Sequence, residues 1–133
     1  AGESGVSRRG LAQARSEHAL DIRAALDAVD GDEELLREVA EAFLTEAPQL
    51  LARADAALAS RDAAALRSAA HTLKGAASSF GDHPAVPLAL EVERAAKAGD
   101  VDVAAGALRD LRGAVEALMS DLSGLLGSFT PSP

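Results

Sequence analysis

Apolar residues recur at helical spacing through most of this chain, in segments separated by short polar breaks. Spacings of three, four and seven residues place side chains on one face of an α-helix. The first strong stripe begins after Asp32, where Glu33 and Glu34 suit a helix N-terminus. Pro48 falls inside it and removes a backbone hydrogen bond, so we expect a kink or a local opening there. The apolar positions of this stripe are Leu36, Val39, Phe43, Leu50, Leu51 and Leu58.

Three further segments show the same period. After a break at residues 60–62, an Ala-rich segment predicts a helix to about Phe80, and Gly81 ends it because glycine adopts the left-handed conformation. Pro87 favours the first turn of the next helix, which we expect to begin near Val86. The last helix is predicted over residues 102–126. The inward positions of these three helices are Leu66, Leu73 and Phe80; Leu88, Val92, Ala95 and Ala96; and Val103, Leu108, Leu111, Val115, Leu118, Leu122 and Leu125.

The first thirty residues have weaker patterns. Residues 1–10 are small and polar, which is typical of a linker. Residues 11–20 are compatible with a short helix, although their periodicity is weak. Asp21 is a candidate N-cap for a second short helix that continues to Val29. Gly31 then suits the left-handed residue that follows a helix, so a break is expected before the first long helix.

Four long amphipathic helices with short connections predict an all-α fold, because short loops make consecutive helices antiparallel neighbours. We therefore expect an up-and-down four-helix bundle with one or two short extra helices at the N-terminus. No internal repeat or second domain is visible. The predicted division is residues 1–20 for an N-terminal linker or short helix, 21–127 for the bundle domain and 128–133 for a flexible tail.

Composition and charge exclude several classes of function. Thirteen Lys and Arg against 21 Asp and Glu give a net charge of −8, which argues against general affinity for nucleic acid. The absence of Cys excludes a disulfide framework, a thiol nucleophile and a thiolate zinc site. No apolar run approaches the roughly 18 residues that span a bilayer. No apolar stretch follows Arg8 and Arg9, so we expect no signal peptide. No metal-ligand spacing and no nucleophile elbow of a hydrolase are present.

The most informative residue is His71, which lies on the second long helix away from its apolar stripe. At about 100° per residue, Lys74 lies about 60° to one side of His71 and Gly75 about 40° to the other. Glycine inside a helix costs about 1 kcal/mol relative to alanine, and alanine fills the neighbouring positions. Gly75 therefore indicates that even a methyl group would obstruct something that approaches this face. The residues predicted to contact a partner are Ala64, Arg67, Ser68, Lys74, Gly75 and Ser78.

Such a face suits nucleophilic phosphoryl transfer. A neutral imidazole nitrogen can attack an activated phosphorus, and the transfer depends mainly on positioning and charge neutralisation. Lys74 and Arg67 are candidates for that charge. The second ring nitrogen needs an acceptor that fixes the tautomer, and Glu93 on the following helix is our candidate. The plainer alternatives are a surface histidine, a packing glycine and a solvent-exposed acid. His18 and His83 lack this context and are interpreted as structural or incidental.

The motif and its flanks resemble a known family. Residues 71–75 read His-Thr-Leu-Lys-Gly, and Gly81 follows ten residues after the histidine. This resembles the signature of histidine-containing phosphotransfer (HPt) domains of bacterial two-component systems. Residues 36–49 are similar to the family's second helix, and residues 92–93 lie where the family commonly has a Leu-Glu pair. The resemblance covers about residues 21–127.

The resemblance implies a relay in a multistep His–Asp pathway. His71 would accept a phosphoryl group, on Nε2, from an aspartyl phosphate of a response-regulator receiver domain and pass it to another receiver. No ATP site is implied, and no nucleotide-binding motif is visible. The Mg²⁺ of such reactions belongs to the receiver, so no cofactor of the chain's own is expected. We also expect a cytoplasmic monomer that is fused to, or works with, a hybrid sensor histidine kinase.

One departure from the family's pattern and two alternative functions leave the interpretation open at this point. Pro84 and Pro87 depart from the family's pattern, and they affect the start of the helix that carries Glu93. A chemotaxis-type histidine kinase has a phosphoacceptor domain with a similar His-x-x-Lys-Gly helix, which receives phosphate from its own kinase. A helical interaction domain whose histidine carries no phosphate is the alternative from a different class.

Overall fold

The protein is a bundle of four long helices. The computed structural model describes residues 25–27 and 29–129, and its long helices are α1 (Glu33–Ala59), α2 (Ala63–Ser78), α3 (Ala85–Lys97) and α4 (Val101–Phe129). Each helix packs on the next, and α4 also packs on α1. Because connections of three to six residues join neighbouring helices, the bundle runs up and down. The predicted all-α bundle is confirmed.

The predicted chain ends fall mostly outside the described residues. The linker or short helix of residues 1–20 and the start of the second short helix at Asp21 lie outside them, although residues 25–27 are helical. Ala25 is fully buried against the bundle. Helix α4 continues to Phe129 and so includes the first two residues of the predicted tail. The remaining tail residues, 130–133, lie outside the described part.

An aspartate side chain caps the N-terminus of each of the first two helices. Asp32 accepts a hydrogen bond from the backbone N–H of Leu35, and Asp62 accepts one from Ala65, each at 3.0 Å. Such caps satisfy backbone donors that have no partner within the helix. Pro48 lies on the exposed side of α1, and the helix continues through it as one element from residue 33 to residue 59. The helix is therefore not interrupted at this proline, and the expected kink stays a prediction.

Helix α2 ends slightly earlier than its apolar pattern suggests. The predicted helix extends to Phe80, whereas the regular helix ends at Ser78 and a turn follows. Phe80 remains buried because the turn folds it back onto the core, where its ring meets Phe43 edge to face at 5.5 Å between centroids. Gly81 has a φ of +86°, which is the left-handed conformation that its position was predicted to need.

His83, Pro84 and Pro87 lie at the N-terminal end of α3. The helix begins at Ala85, one residue before the predicted start, and Pro84 in the N-cap position makes no side-chain hydrogen bond. The buried His83 replaces that cap, since its Nδ1 accepts a hydrogen bond from the backbone N–H of Ala85 at 3.1 Å. His83 therefore has a structural role, and the prolines leave α3 regular from its first turn onward.

The core follows the predicted stripes with one error. Val103 was predicted to face inward, but its side chain is 57 % exposed. The buried stripe of α4 begins instead at Ala104, which lies four residues before Leu108. Val103 lies five residues before Leu108 and is rotated by roughly 140° from it on the helix, so it faces solvent. The other predicted inward residues of α4 are Leu108, Leu111, Val115, Leu118, Leu122 and Leu125, all buried.

Candidate functional site

His71 is held on the outer surface of α2. Its side chain is 66 % exposed, while Ala70 and Leu73 on either side of it are buried against the bundle. The helix therefore anchors the backbone at this position and leaves the imidazole accessible. The other predicted partner contacts on α2 share this exposed face, except that Lys74 is half-buried; they are Ala64, Arg67, Ser68, Gly75 and Ser78.

Helix α3 supplies a carboxylate to this histidine. Glu93 Oε2 lies 3.0 Å from His71 Nδ1, and Glu93 Oε1 accepts a hydrogen bond of 2.7 Å from Lys74 Nζ. The Glu93 side chain is only 15 % exposed, so its position is well defined by packing. With Nδ1–H donating to Glu93, the lone pair of the neutral ring is on Nε2. Among the described residues, nothing bonds to that second nitrogen.

The charge of Glu93 is stabilised by its neighbours. The hydrogen bond from Lys74 is the largest cause that lowers the pKa of the Glu93 carboxyl, and the hydrogen bond from His71 lowers it further. Partial burial opposes both effects. Glu93 is therefore ionised at neutral pH and can stabilise positive charge on the imidazole ring.

Gly75 adjoins open space. A Cβ built on Gly75 would meet no heavy atom within 4 Å, apart from its own helical surroundings. Gly75 is exposed one turn beyond His71, so helix packing within this chain does not require a glycine there. Packing between helices therefore does not explain the glycine at position 75. Close approach of a partner at this position stays a prediction.

A groove beside the histidine extends the predicted surface onto α1. It has a volume of about 400 Å³ and lies between the C-terminal half of α1 and the N-terminal half of α2. Ser68 and Thr72, which adjoin His71 on α2, form one side of it. The α1 side was missed by the sequence prediction, because contact between residues on separate helices has no local sequence signal. The α1 residues that line the groove are Leu50, Arg53, Ala56 and Ala57.

The two cations of the α2 face differ in their surroundings. Arg67 is exposed and forms no ion pair with any of the described residues, whereas Lys74 is bonded to Glu93.

Within residues 25–27 and 29–129, no three His, Asp or Glu side chains form a group that could hold a metal ion. None of the helices described is both long and apolar enough to cross a membrane.

Within the described part of the chain, an exposed histidine lies on the outside of an antiparallel helical bundle and is held by a carboxylate from the next helix. The profile of the Hpt domain family matches residues 38–121, which is more than half of the chain and includes His71, Lys74 and Glu93. The chain therefore belongs to the Hpt domain family.

A solved structure has the same fold. The chain is similar to the crystal structure of the HPT domain from the Hpt sensor hybrid histidine kinase from Shewanella, with a TM-score of 0.76 and 23 % sequence identity. The similarity covers 86 % of this chain and 98 % of that domain. No curated protein sequence matches significantly.

Proposed function

We propose that the chain relays a phosphoryl group between aspartates of response-regulator receiver domains, with His71 as the carrier. The observation that supports this most strongly is the exposed imidazole whose Nδ1 is held by Glu93 at 3.0 Å. That contact favours the tautomer with its lone pair on Nε2, and the imidazole side chain is 66 % exposed. Family membership supports the same phosphotransfer role.

The transfer step needs one nucleophile and one leaving group. The Nε2 lone pair of neutral His71 attacks the phosphorus of an aspartyl phosphate on the donor receiver. An N–P bond forms, the P–O bond to the aspartate breaks, and the aspartate carboxylate leaves with the electron pair. The Nδ1 proton stays on the ring, which becomes positively charged, and the ionised Glu93 stabilises that charge. Transfer to the second receiver is the reverse reaction with a different aspartate.

The receiver domain supplies the groups that the reaction needs and that this chain is not expected to hold. We infer that the Mg²⁺ and the reacting aspartate belong to the receiver, so that this chain has no cofactor of its own and no ATP site. The exposed Arg67 is available to the phosphoryl oxygens or to acidic groups of the receiver, although the net charge of the chain is −8. Transfer of this kind depends largely on positioning and charge neutralisation, which such a surface can provide.

The docking surface includes both helices beside His71. We propose that the receiver covers the exposed face of α2 and the groove between α1 and α2, because Ser68 and Thr72 belong to both regions. A monomer leaves this surface accessible. The similarity to a domain of a hybrid sensor kinase supports a pathway in which such a kinase is the fusion partner or the upstream component. We propose that this pathway is cytoplasmic.

A transfer assay tests this proposal. The chain is mixed with ³²P-phosphorylated receiver domains, and label on the chain is tested for stability in alkali and loss in acid, which is the behaviour of a phosphohistidine. We expect label on the wild type and none on His71→Gln. His83→Gln is a poor control because His83 caps α3. Gly113→Ala is a better one, since Gly113 is exposed on α4 and an added methyl group meets no other atom.

The alternatives give different results in the same assay. Label that appears only when a chemotaxis-type kinase core and ATP are added would identify a kinase phosphoacceptor domain. A folded chain that receives label from neither source would contradict the relay and favour an interaction domain without phosphate chemistry.

A further inference from the structure

A second groove lies between α3 and α4. It has a volume of about 560 Å³ and is formed by the C-terminal half of α3 and the N-terminal half of α4. Glu91 on its α3 wall is two residues from Glu93, which places the two side chains roughly 160° apart around that helix. The groove is therefore on the other side of α3 from His71, and an occupant would leave the exposed face of α2 accessible.

An exposed apolar side chain lies in this groove. Val103 is 57 % exposed, and Leu35 on α1 is the other large apolar side chain that is exposed among the described residues. Ala95 and Ala107 line the same groove. Because both of these side chains are small, space remains beside Val103 for a bulky apolar group. Covering Val103 with such a group is favoured by the hydrophobic effect.

The charges around the groove are mainly negative. Glu91 on α3 and Asp110 on α4 are exposed on its two walls, and neither belongs to an ion pair among the described residues. Asp100 adds a third carboxylate, which also caps α4 by accepting a hydrogen bond from the backbone N–H of Val103 at 3.1 Å. Arg94 is the only cation among the described residues that line the groove. A cationic occupant therefore complements it.

The groove beside His71 has a different charge. Its described lining contains one cation, Arg53, and one carboxylate, Asp62, so it has no excess of either sign. A partner surface that complements this balanced groove does not complement the acidic groove on the other side of the bundle. Because electrostatic complementarity determines the choice of partner, the two grooves suit different partners.

We propose that the groove between α3 and α4 binds a cationic amphipathic helix of a partner protein, with a bulky apolar side chain against Val103 and Lys or Arg side chains beside Glu91 and Asp110. Val103 and Asp110 are seven residues apart, about 10 Å along α4, which matches two turns of a bound helix. A groove between two helices accepts the apolar face of a third. A second copy of the chain is a poorer occupant, because each copy has a net charge of −8.

The first test measures the binding of a defined probe. The probe is a synthetic peptide of about 18 residues, long enough to form a helix, with leucine on one face and lysine on the other. Fluorescence anisotropy gives its Kd, and methyl NMR should show the largest shifts at Val103. We expect Val103→Ser to weaken binding about ten-fold, because an apolar contact is lost. Leu35→Ser is the matched control from α1 and should leave the Kd unchanged.

The second test separates this groove from general attraction to an acidic chain. Glu91→Gln combined with Asp110→Asn should weaken binding about five-fold at low salt, because two ion pairs with the probe are lost. Glu38→Gln combined with Glu46→Gln removes the same charge from exposed positions on α1 and should have less than half of that effect. A peptide of the same composition in scrambled order has no apolar face and should bind about ten-fold more weakly. Circular dichroism confirms that each variant is folded.

Several results would overturn the proposal. Equal affinity of wild type and folded Val103→Ser, or of the ordered and scrambled peptides, would show that no apolar contact is made. Equal losses for the two pairs of charge variants would show attraction without a site. Self-association of the wild type that Val103→Ser abolishes, measured by sedimentation, would identify a second copy as the occupant.

A transfer experiment tests the separation of the two grooves. Saturating amounts of the probe should leave ³²P transfer from a receiver to His71 unchanged, whereas slower transfer would place the probe on the docking surface of the receiver and contradict the proposal. The inference goes beyond the proposed function and does not depend on it. A chain that accepts no label from any receiver would still show the binding differences between Val103→Ser and Leu35→Ser.

Discussion

A substitution at Gly75 tests the approach of a partner separately from the chemistry of His71. A side chain at this position meets only open space within the chain, so Gly75→Leu should fold and gain up to about 1 kcal/mol of stability from helix propensity. The same side chain stands in the path of a docking receiver. We expect transfer from a phosphorylated receiver to fall by about 100-fold, because small misplacements of reacting atoms are costly. Rates of ³²P transfer measure this effect.

A small donor and a matched glycine complete that test. Phosphoramidate needs no docking surface and should label Gly75→Leu at nearly the wild-type rate. Gly113→Leu places the same side chain on α4, also into open space, and should leave both reactions unchanged. Normal transfer from the receiver to Gly75→Leu would show that no partner atom comes close to this position.

Glu93 should make stability depend on pH. Its neighbours lower the pKa of its carboxyl in the folded chain, so the unfolded state binds a proton at higher pH than the folded state does. The stabilisation from the charged group is therefore complete well above the ordinary glutamate pKa of about 4.3 and is lost as the pH falls through the lower folded value. Urea titrations of wild type and Glu93→Gln at several pH values should show a difference at pH 7 that shrinks in acid. A difference independent of pH would contradict the contribution of charge.

Helix starts were more predictable than helix ends or individual side-chain directions. Asp32 and Asp62 carry a local signal, because an aspartate before an apolar-periodic segment favours an N-cap, and both cap their helices. Phe80 belongs to the apolar stripe whether it lies in the last turn of α2 or in the loop that follows. The stripe therefore could not show that the helix ends at Ser78. Val103 was wrongly predicted to face inward because valine is apolar like the residues of the stripe. Its angular position on α4 lies outside the buried face.

The cap at Asp62 gives a test at the level of α2. Asp62→Ala removes the acceptor for the Ala65 N–H and should lower the free energy of unfolding by about 1 kcal/mol, while Asp62→Asn should retain most of it. Urea denaturation followed by circular dichroism measures both. If alanine and asparagine were equivalent, the cap would contribute nothing to stability. Because the cap lies two and a half turns from His71, phosphoramidate labelling of the folded variants should be unchanged.

The two aromatic rings in the core join the turn after α2 to α1. Phe80 and Phe43 are both buried and meet edge to face, with an interplanar angle of 84°. Phe80→Ala should cost about 3–5 kcal/mol, because it removes a large buried side chain and leaves a cavity. Phe80→Leu should cost much less. Denaturant midpoints compare the two variants, and similar small losses for both would show that the turn is not anchored by this ring.

At the level of the whole molecule, the bundle was predictable and the assembled site only partly so. The stripe spacings and short breaks determine four antiparallel helices. The contact between His71 and Glu93 was expected from the need for an acceptor and from the family resemblance, and the structure brings the two residues together. The bond from Lys74 to Glu93 was not expected, because sequence separation carries no information about the register of α2 against α3. The α1 side of the groove was missed for the same reason.

The most direct test of the account is the identity of the phosphorylated atom. The chain, labelled with ¹⁵N in its histidines, is treated with phosphoramidate, and long-range ¹H–¹⁵N NMR identifies the ring nitrogen that carries phosphorus. We predict a single phosphohistidine with the N–P bond at Nε2 of His71, and none in His71→Gln. Phosphorus on Nδ1 of His71, or on His18 or His83 instead, would contradict the central claim that Glu93 and the exposed face of α2 direct the chemistry to that nitrogen.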